Sequence, residues 1–215
     1  MNTTVSQETL DALRLLGAAT VYEAQGAKGA LDSGIKPVAS GMRVSGPAFT
    51  VDTRPADNLM LHYAMLKARP GDVLVVDAKG YTEAGPWGDV FTEQALKMGL
   101  AGLVINGAVR DAAAITAAGF PVFCRGLSIK GTGKNQPGLV GVDITIGDVL
   151  IRPGDIVVGD QDGVVVVDRH AADAVLALAR AREDKEAWFR ERIRQGATTV
   201  ELLGLAETLR RLNLN

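Results

Sequence analysis

Two apolar runs constrain this chain more than any other feature. "VLVVDAKG" (73–80) and "GLVINGAV" (102–109) open on consecutive aliphatic residues without the alternation of a half-exposed strand, so each reads as a buried strand. Each gives way to a helix-forming stretch, "DVFTEQALKM" after the first and "AAAITAA" after the second, closed by Gly99 and Gly119. Strand and helix in succession predict an α/β sheet, and in such sheets ligands gather where strands end and helices begin.

The rest of the chain is read around that centre. Residues 4–26 read as one helix, capped by Thr4 or Ser6 and stopped by Gly26. "MRVSGPAFTVDTR" (42–54) reads as one strand or two broken at Gly46-Pro47, and "NLMLHYAMLKA" (58–68) as a helix capped by Asn58. "RPGDVLVVD" (69–77) returns as "RPGDIVVGD" (152–160), which we read as two similar turns feeding strands rather than duplicated half-domains. "PVFCR" is a further strand, and residues 139–167 read as a meander of short strands. The tail changes character: a long helix over 171–195 turns densely charged yet carries Trp188 and Phe189, and a capping box Thr198-x-x-Glu201 opens a last helix ending near Leu212. The expected organisation is a core domain over 1–170 and a C-terminal helical extension over 171–215 at a subunit interface.

Composition excludes several classes. A formal net charge of -2 with no basic block argues against a nucleic-acid surface. No apolar run reaches the roughly 18 residues of a membrane span, and "MNTTVSQETL" shows neither the basic nor the apolar part of a secretory signal. Cys124, the single cysteine, can form no internal disulfide and fits a reducing compartment, so a cytoplasmic location is expected. Schiff-base chemistry would need a desolvated lysine, and Lys79, Lys130 and Lys134 all read as residues of glycine-flanked loops. "KGTGKNQPG" has neither dinucleotide-binding nor Walker spacing.

The chemistry concentrates at the two strand exits. Asp89 and Asp111 each open a helix, where the ordinary role of a carboxylate is capping. Arg110 does not fit that role, because the positive end of a helix dipole disfavours a cation. An anion between the guanidinium and the free amides, Val90 and Phe91 at the other helix start among them, reverses the sign. Adjacent carboxylates could also hold a hard divalent cation.

Asp89, twenty residues, then Arg110-Asp111, set in "WGDVFTEQA" and "GLVINGAVRDAAAI", resembles the class II pyruvate aldolases of the RraA-like family, the 4-hydroxy-4-methyl-2-oxoglutarate and 4-carboxy-4-hydroxy-2-oxoadipate aldolases. "TVYEAQGAKG", "LSIKGTGK" and "PGDIVVGDQDGVVVV" are similar to further segments of that family, so the resemblance covers nearly the whole chain. It implies a layered α/β sandwich assembled into homotrimers or homohexamers with active sites at subunit interfaces, and a small-molecule keto-acid substrate. It further implies Asp111 as the ligand of Mg2+ or Mn2+, and Arg110 at the keto-acid oxygen. The turn Gly88, Asp89, Val90, Phe91 would hold the pyruvate carboxylate, with Asp89 also orienting a water that carries the proton. Lys134 would meet the distal carboxylate, and Glu186, with Glu183 competing for the role, would be the acid supplied by a neighbouring subunit. Oxaloacetate decarboxylation is implied as a second activity. The rival expectation is a non-catalytic regulator that binds an RNA-degrading enzyme, as some relatives are known to do.

Overall fold

The computed structural model describes residues 5–214. The elements run α1 (Gln7–Leu16), α2 (Ala18–Ala24), β1 (Lys36–Pro37), β2 (Val44–Asp52), α3 (Leu59–Ala64), β3 (Val73–Tyr81), α4 (Asp89–Met98), β4 (Gly102–Val109) and α5 (Ala112–Ala118). There follow β5 (Val122–Cys124), β6 (Gly126–Leu127), β7 (Leu139–Val140), β8 (Ile144–Ile146), β9 (Val149–Ile151), β10 (Ile156–Gly159) and β11 (Val164–Val167). The chain ends in α6 (Ala172–Arg194), α7 (Thr199–Leu202) and α8 (Ala206–Arg211). The described residues form two compact units that divide within α6, one running to Ala179 and the other starting at Arg180.

The first unit is a layered α/β sandwich. Its main sheet has the order β1-β5-β4-β3-β2-β10-β11, with β6 beside β4 and β7 beside β2. The centre, β2-β3-β4-β5, is parallel, while β10 and β11 continue it antiparallel. Leu74 and Val76 of β3 and Leu103 and Ile105 of β4 join Leu61, Phe91, Ala95 and Ile115 of the helices in one apolar cluster. Val73, Val75 and Val104 point the other way, to Ile146 and Ile151 of the β8–β9 hairpin. Both faces are covered, which is why the two runs carry no alternation. A third cluster packs Leu13 and Val21 of the first two helices on Val158, Val165 and Val167, with Val175 and Leu176 of α6.

Four local expectations change, and one of them is in the tail, where the last helix after Thr198 is two, α7 and α8, separated at 203–205. The first helix is two helices: Ser6 caps α1, as its hydroxyl accepts the Thr9 amide, whereas Thr4 lies outside the described residues. The break falls at Gly17, where φ is 86° and the Asp160 carboxylate, reaching across from the β10–β11 turn, accepts the Ala18 amide at 2.9 Å. A Cβ at Gly17 would stand 2.7 Å from that carboxylate. Next, β2 runs unbroken through Gly46-Pro47. Ala48 exchanges its backbone bonds with the Gly154-Asp155 side, so the Pro47 nitrogen faces β3, whose pairing starts only at Ala48. Lastly, the Asn58 side chain does not cap α3; Asp57 accepts the Leu59 amide instead.

Candidate functional site

The exits of β3 and β4 lie against each other. Arg110 donates its backbone amide to the Trp87 carbonyl at 2.9 Å, tying the two turns together. Gly88 caps α4, and Asp89 is the first helical residue. The Asp89 amide reaches across to Asp111 Oδ2 at 3.2 Å, and Arg110 Nε lies 3.4 Å from the same oxygen. A Cβ on Gly88 would fall 2.3 Å from Asp111 Oδ2 and 3.0 Å from Arg110 Cγ, so only glycine lets the turns close this far.

Simple capping does not describe either carboxylate. Asp111 precedes α5 with φ 56°, a left-handed conformation, and makes no side-chain bond to its own helix. Asp89 turns back on its neighbour, with Oδ1 accepting the Val90 amide at 2.7 Å. Arg110 and Asp111 keep 42% and 38% of their side-chain surface, enough for a ligand to reach both.

No cluster of three or more His, Cys, Asp or Glu side chains suited to a metal occurs among the described residues. The donor set therefore does not fit a dry cage of protein ligands. It does fit a hydrated hard cation held by one carboxylate, because Asp111 Oδ1 has no protein partner among the described residues and Mg2+ keeps most of its waters.

The floor of the site is aromatic. Trp87, fully buried, stacks on Phe91 at 4.9 Å and Phe120 at 6.0 Å. Its indole N–H donates to Thr92 Oγ1, which donates in turn to the Gly88 carbonyl at 3.0 Å, so the turn is fixed from beneath. His62 of α3 packs its ring 4.5 Å from Phe91. Partial burial, and after it the positive charge of Lys134, holds the His62 imidazole below its ordinary range. That influence puts Lys134, exposed on the 131–136 loop, within electrostatic reach of the aromatic wall.

Sequence reasoning missed Asp57, Asn58, His62, Trp87 and Thr92, which join the 131–136 loop, the aromatic floor and the turn before α4. Asn58 stands just before a helix and reads there as its cap, and Asp57 precedes it with no feature of its own; only long-range bonds reveal their other contacts. Glu186 and Glu183 belong to the C-terminal unit. Glu186 pairs with Arg182 at 2.9 Å and Arg190 at 3.7 Å, and Glu183 with Arg190 at 2.5 Å. Lys79, expected in a loop, lies on β3. Burial pulls its pKa down, but hydrogen bonds and charge from Asp52 and Asp77 outweigh that and hold it above its ordinary value. A lysine held so firmly protonated is no Schiff-base nucleophile. Cys124 is buried on β5, and its thiol is pushed up by desolvation.

A family model described as RraA-like, Aldolase/RraA, matches residues 10–166. The chain belongs to the RraA-like family. A protein of Halalkalibacterium halodurans named "Putative 4-hydroxy-4-methyl-2-oxoglutarate aldolase" is 44% identical over 158 residues, covering 73% of this chain and 75% of that one. The crystal structure of an uncharacterized protein from Pseudomonas syringae pv. tomato superposes with a TM-score of 0.86 at 32% identity, over 94% of this chain and 95% of its own. A Streptomyces coelicolor protein, described as an unusual member of the RNase ES inhibitor RraA protein family, superposes with a TM-score of 0.76 at 31% identity, over 87% and 98%. No described helix is long and apolar enough to cross a membrane.

Proposed function

We propose that this RraA-like protein is a divalent-metal-dependent aldolase. It cleaves 4-hydroxy-2-keto acids, 4-hydroxy-4-methyl-2-oxoglutarate or 4-carboxy-4-hydroxy-2-oxoadipate, to pyruvate and a second keto acid, and decarboxylates oxaloacetate at the same site. One observation carries the reading: the two strand exits meet, with Arg110 and the Asp89 amide converging on Asp111 Oδ2. The similarity to a protein named as an aldolase of this substrate class supports it.

Asp111 would hold Mg2+ or Mn2+, and the bound cation would polarise the α-keto acid end of the substrate. The substrate carboxylate occupies the start of α4. There it takes the Val90 amide in place of Asp89 Oδ1, and so frees the Asp89 carboxylate to hold a water. The 4-hydroxyl gives its proton through that water to the Asp89 carboxylate, and its oxygen becomes the carbonyl of the departing keto acid. The C3–C4 bonding pair moves to C3=C2, leaving negative charge on the C2 oxygen, where the Arg110 guanidinium stabilises it. The proton held at Asp89 returns to C3 and completes pyruvate. In oxaloacetate the same electron pair comes from the bond to the leaving CO2. Lys134 meets the distal carboxylate, and Glu186 of a second copy completes the site in a homotrimer or homohexamer.

The test is pyruvate release from 4-hydroxy-4-methyl-2-oxoglutarate with Mg2+, with EDTA, and in two variants. Arg110→Ala removes the guanidinium. Asp111→Asn removes the charge but keeps a residue type that tolerates φ 56°, which alanine would not. Loss of one well-placed electrostatic contact costs on the order of a hundredfold or more, so both variants and the EDTA sample are expected to fall at least that far while remaining folded. Full activity in Asp111→Asn, or no release with any divalent metal, overturns the reading; the second result favours a binding protein.

A further inference from the structure

Asp57 and Asn58 reach both ends of the candidate site. The Asp57 carboxylate is buried, with 1% of the residue exposed, and accepts the Asn135 and Gln136 amides at 2.9 and 3.2 Å as well as that of Leu59. Gly133 donates to the Ala56 carbonyl at 2.8 Å, and Asn58 donates its backbone amide to the Gly133 carbonyl at 3.0 Å. Both sides of Lys134 are thereby pinned. Ala56 is held at φ 55° to make this register, a left-handed conformation that a residue with a Cβ disfavours. In the other direction, Asn58 Nδ2 donates to the Pro86 carbonyl at 3.0 Å, in the turn that leads into Gly88 and Asp89. Asn58 is itself buried, and its Oδ1 has no partner among the described residues, so the side chain is spent on that single tether.

We propose that Asp57, together with Asn58, is a positioning residue that fixes the span between the α4 turn and Lys134, and so selects keto acids with a second carboxylate at a set distance from the first. The inference rests on the aldolase reading for the roles of the two ends. Two backbone bonds, two loop amides on the Asp57 carboxylate and the Asn58 tether to Pro86 link the Lys134 loop to the turn that leads into α4. Desolvation works against the buried carboxylate, but the three amides and the Lys134 charge outweigh it and keep Asp57 ionised. Without that anion, the Asn135 and Gln136 amides lose their acceptor and the ammonium loses its fixed place.

The experiment compares two substrates in the Mg2+-loaded full chain: 4-hydroxy-4-methyl-2-oxoglutarate, and 4-hydroxy-2-oxopentanoate, which keeps the C4 hydroxyl and methyl but has hydrogen in place of the distal carboxylate. Asp57→Asn is expected to raise KM for the first by roughly tenfold or more, since an ångström of misplacement is costly, and to leave kcat/KM for the second within about twofold. In a Lys134→Ala background, Asp57→Asn should add nothing for the first substrate, whereas a merely structural role would add its own loss. Equal losses on both substrates, additive losses in the double variant, or wild-type behaviour overturn the proposal. Gly133→Ala leaves Asp57 in place but sets a Cβ 2.9 Å from its Oδ2, and should give the same selective KM effect if Asp57→Asn does not fold. In Gly133→Ala the His62 pKa, followed by proton NMR, should rise as Lys134 moves away. That readout needs no catalysis: wild-type protein that cleaves neither substrate overturns the aldolase reading, while an unmoved His62 overturns the clamp.

Discussion

His62 measures its surroundings in a way no catalytic assay can. Its imidazole is held low by burial first and by Lys134 second, so the folded chain favours the neutral ring. As pH falls below the ordinary value of 6.5, the unfolded chain takes up the proton first, and stability from this group declines until the folded pKa is passed. A proton NMR titration should place the His62 midpoint below 6.5, and Lys134→Ala should move it upward without restoring the ordinary value, since burial remains. An unchanged midpoint would mean that Lys134 stands elsewhere. Asp57 follows the same logic for an acid: its stabilisation is present at neutral pH and lost only as pH falls below 3.8 and through its depressed folded value. At this scale the sequence was informative where a residue type was out of place. Arg110 at a helix start and the Asp89–Arg110 spacing were legible because bland explanations of them fail. Asp57, Asn58 and Thr92 were not, because each has an ordinary local role and its distant partner depends on the tertiary fold.

Helix α4 stands on a relay whose middle member is one hydroxyl. Thr92 Oγ1 accepts from the Trp87 indole at 2.9 Å and donates to the Gly88 carbonyl at 3.0 Å, and the residue is 1% exposed. Thr92→Val keeps the shape but leaves a buried N–H without an acceptor, which costs about 1–3 kcal/mol. Urea denaturation should show that loss, and pyruvate formation should fall with it because Gly88 is no longer anchored. A variant as stable as wild type would show that the indole finds another acceptor. The repeated Pro-Gly-Asp segments show how far an element can be read from a short string. In both, glycine takes a left-handed φ, 86° at Gly71 and 88° at Gly154, and aspartate accepts the amide of the arginine three residues back, at 2.7 and 2.8 Å. The two turns feed β3 and β10, which flank β2 on opposite sides, one parallel and one antiparallel. The turn is chemical and local; the direction of pairing is not, and nothing in the two strings distinguishes it. The break at Gly17 was hidden for the same reason: glycine permits a helix stop, but the Asp160 carboxylate that uses it comes from 142 residues away.

At the scale of the whole molecule, the C-terminal unit is the part the single chain leaves unfinished. Not one described residue from 180 to 214 is buried, although this stretch carries Trp188, Phe189, Ile193, Leu203, Leu205 and Leu212. Its helices α7 and α8 span four and six residues, far below the roughly 12–15 at which an isolated helix becomes even marginal in water. The capping box at Thr198 and Glu201 helps one end of α7 but contributes only about 1 kcal/mol. Such a segment gains its stability by burying apolar side chains, and a second copy of the chain is the partner always present at matching concentration. A net charge of -2 opposes such assembly little. If Trp188, 54% exposed in the single chain, faced water, then Trp188→Glu would change stability by no more than about 0.5 kcal/mol and leave the mass in solution unchanged. We expect the opposite: sedimentation of the full chain should give a trimer or hexamer, and Trp188→Glu or Leu203→Glu should shift it toward monomer. Pyruvate formation should fall in step with dissociation, because Glu186 lies on the same helix as Trp188 and is the group a neighbouring copy would supply. A monomeric wild-type chain with full activity would leave Glu186 without a role in catalysis, and the site would then have to be complete within one copy.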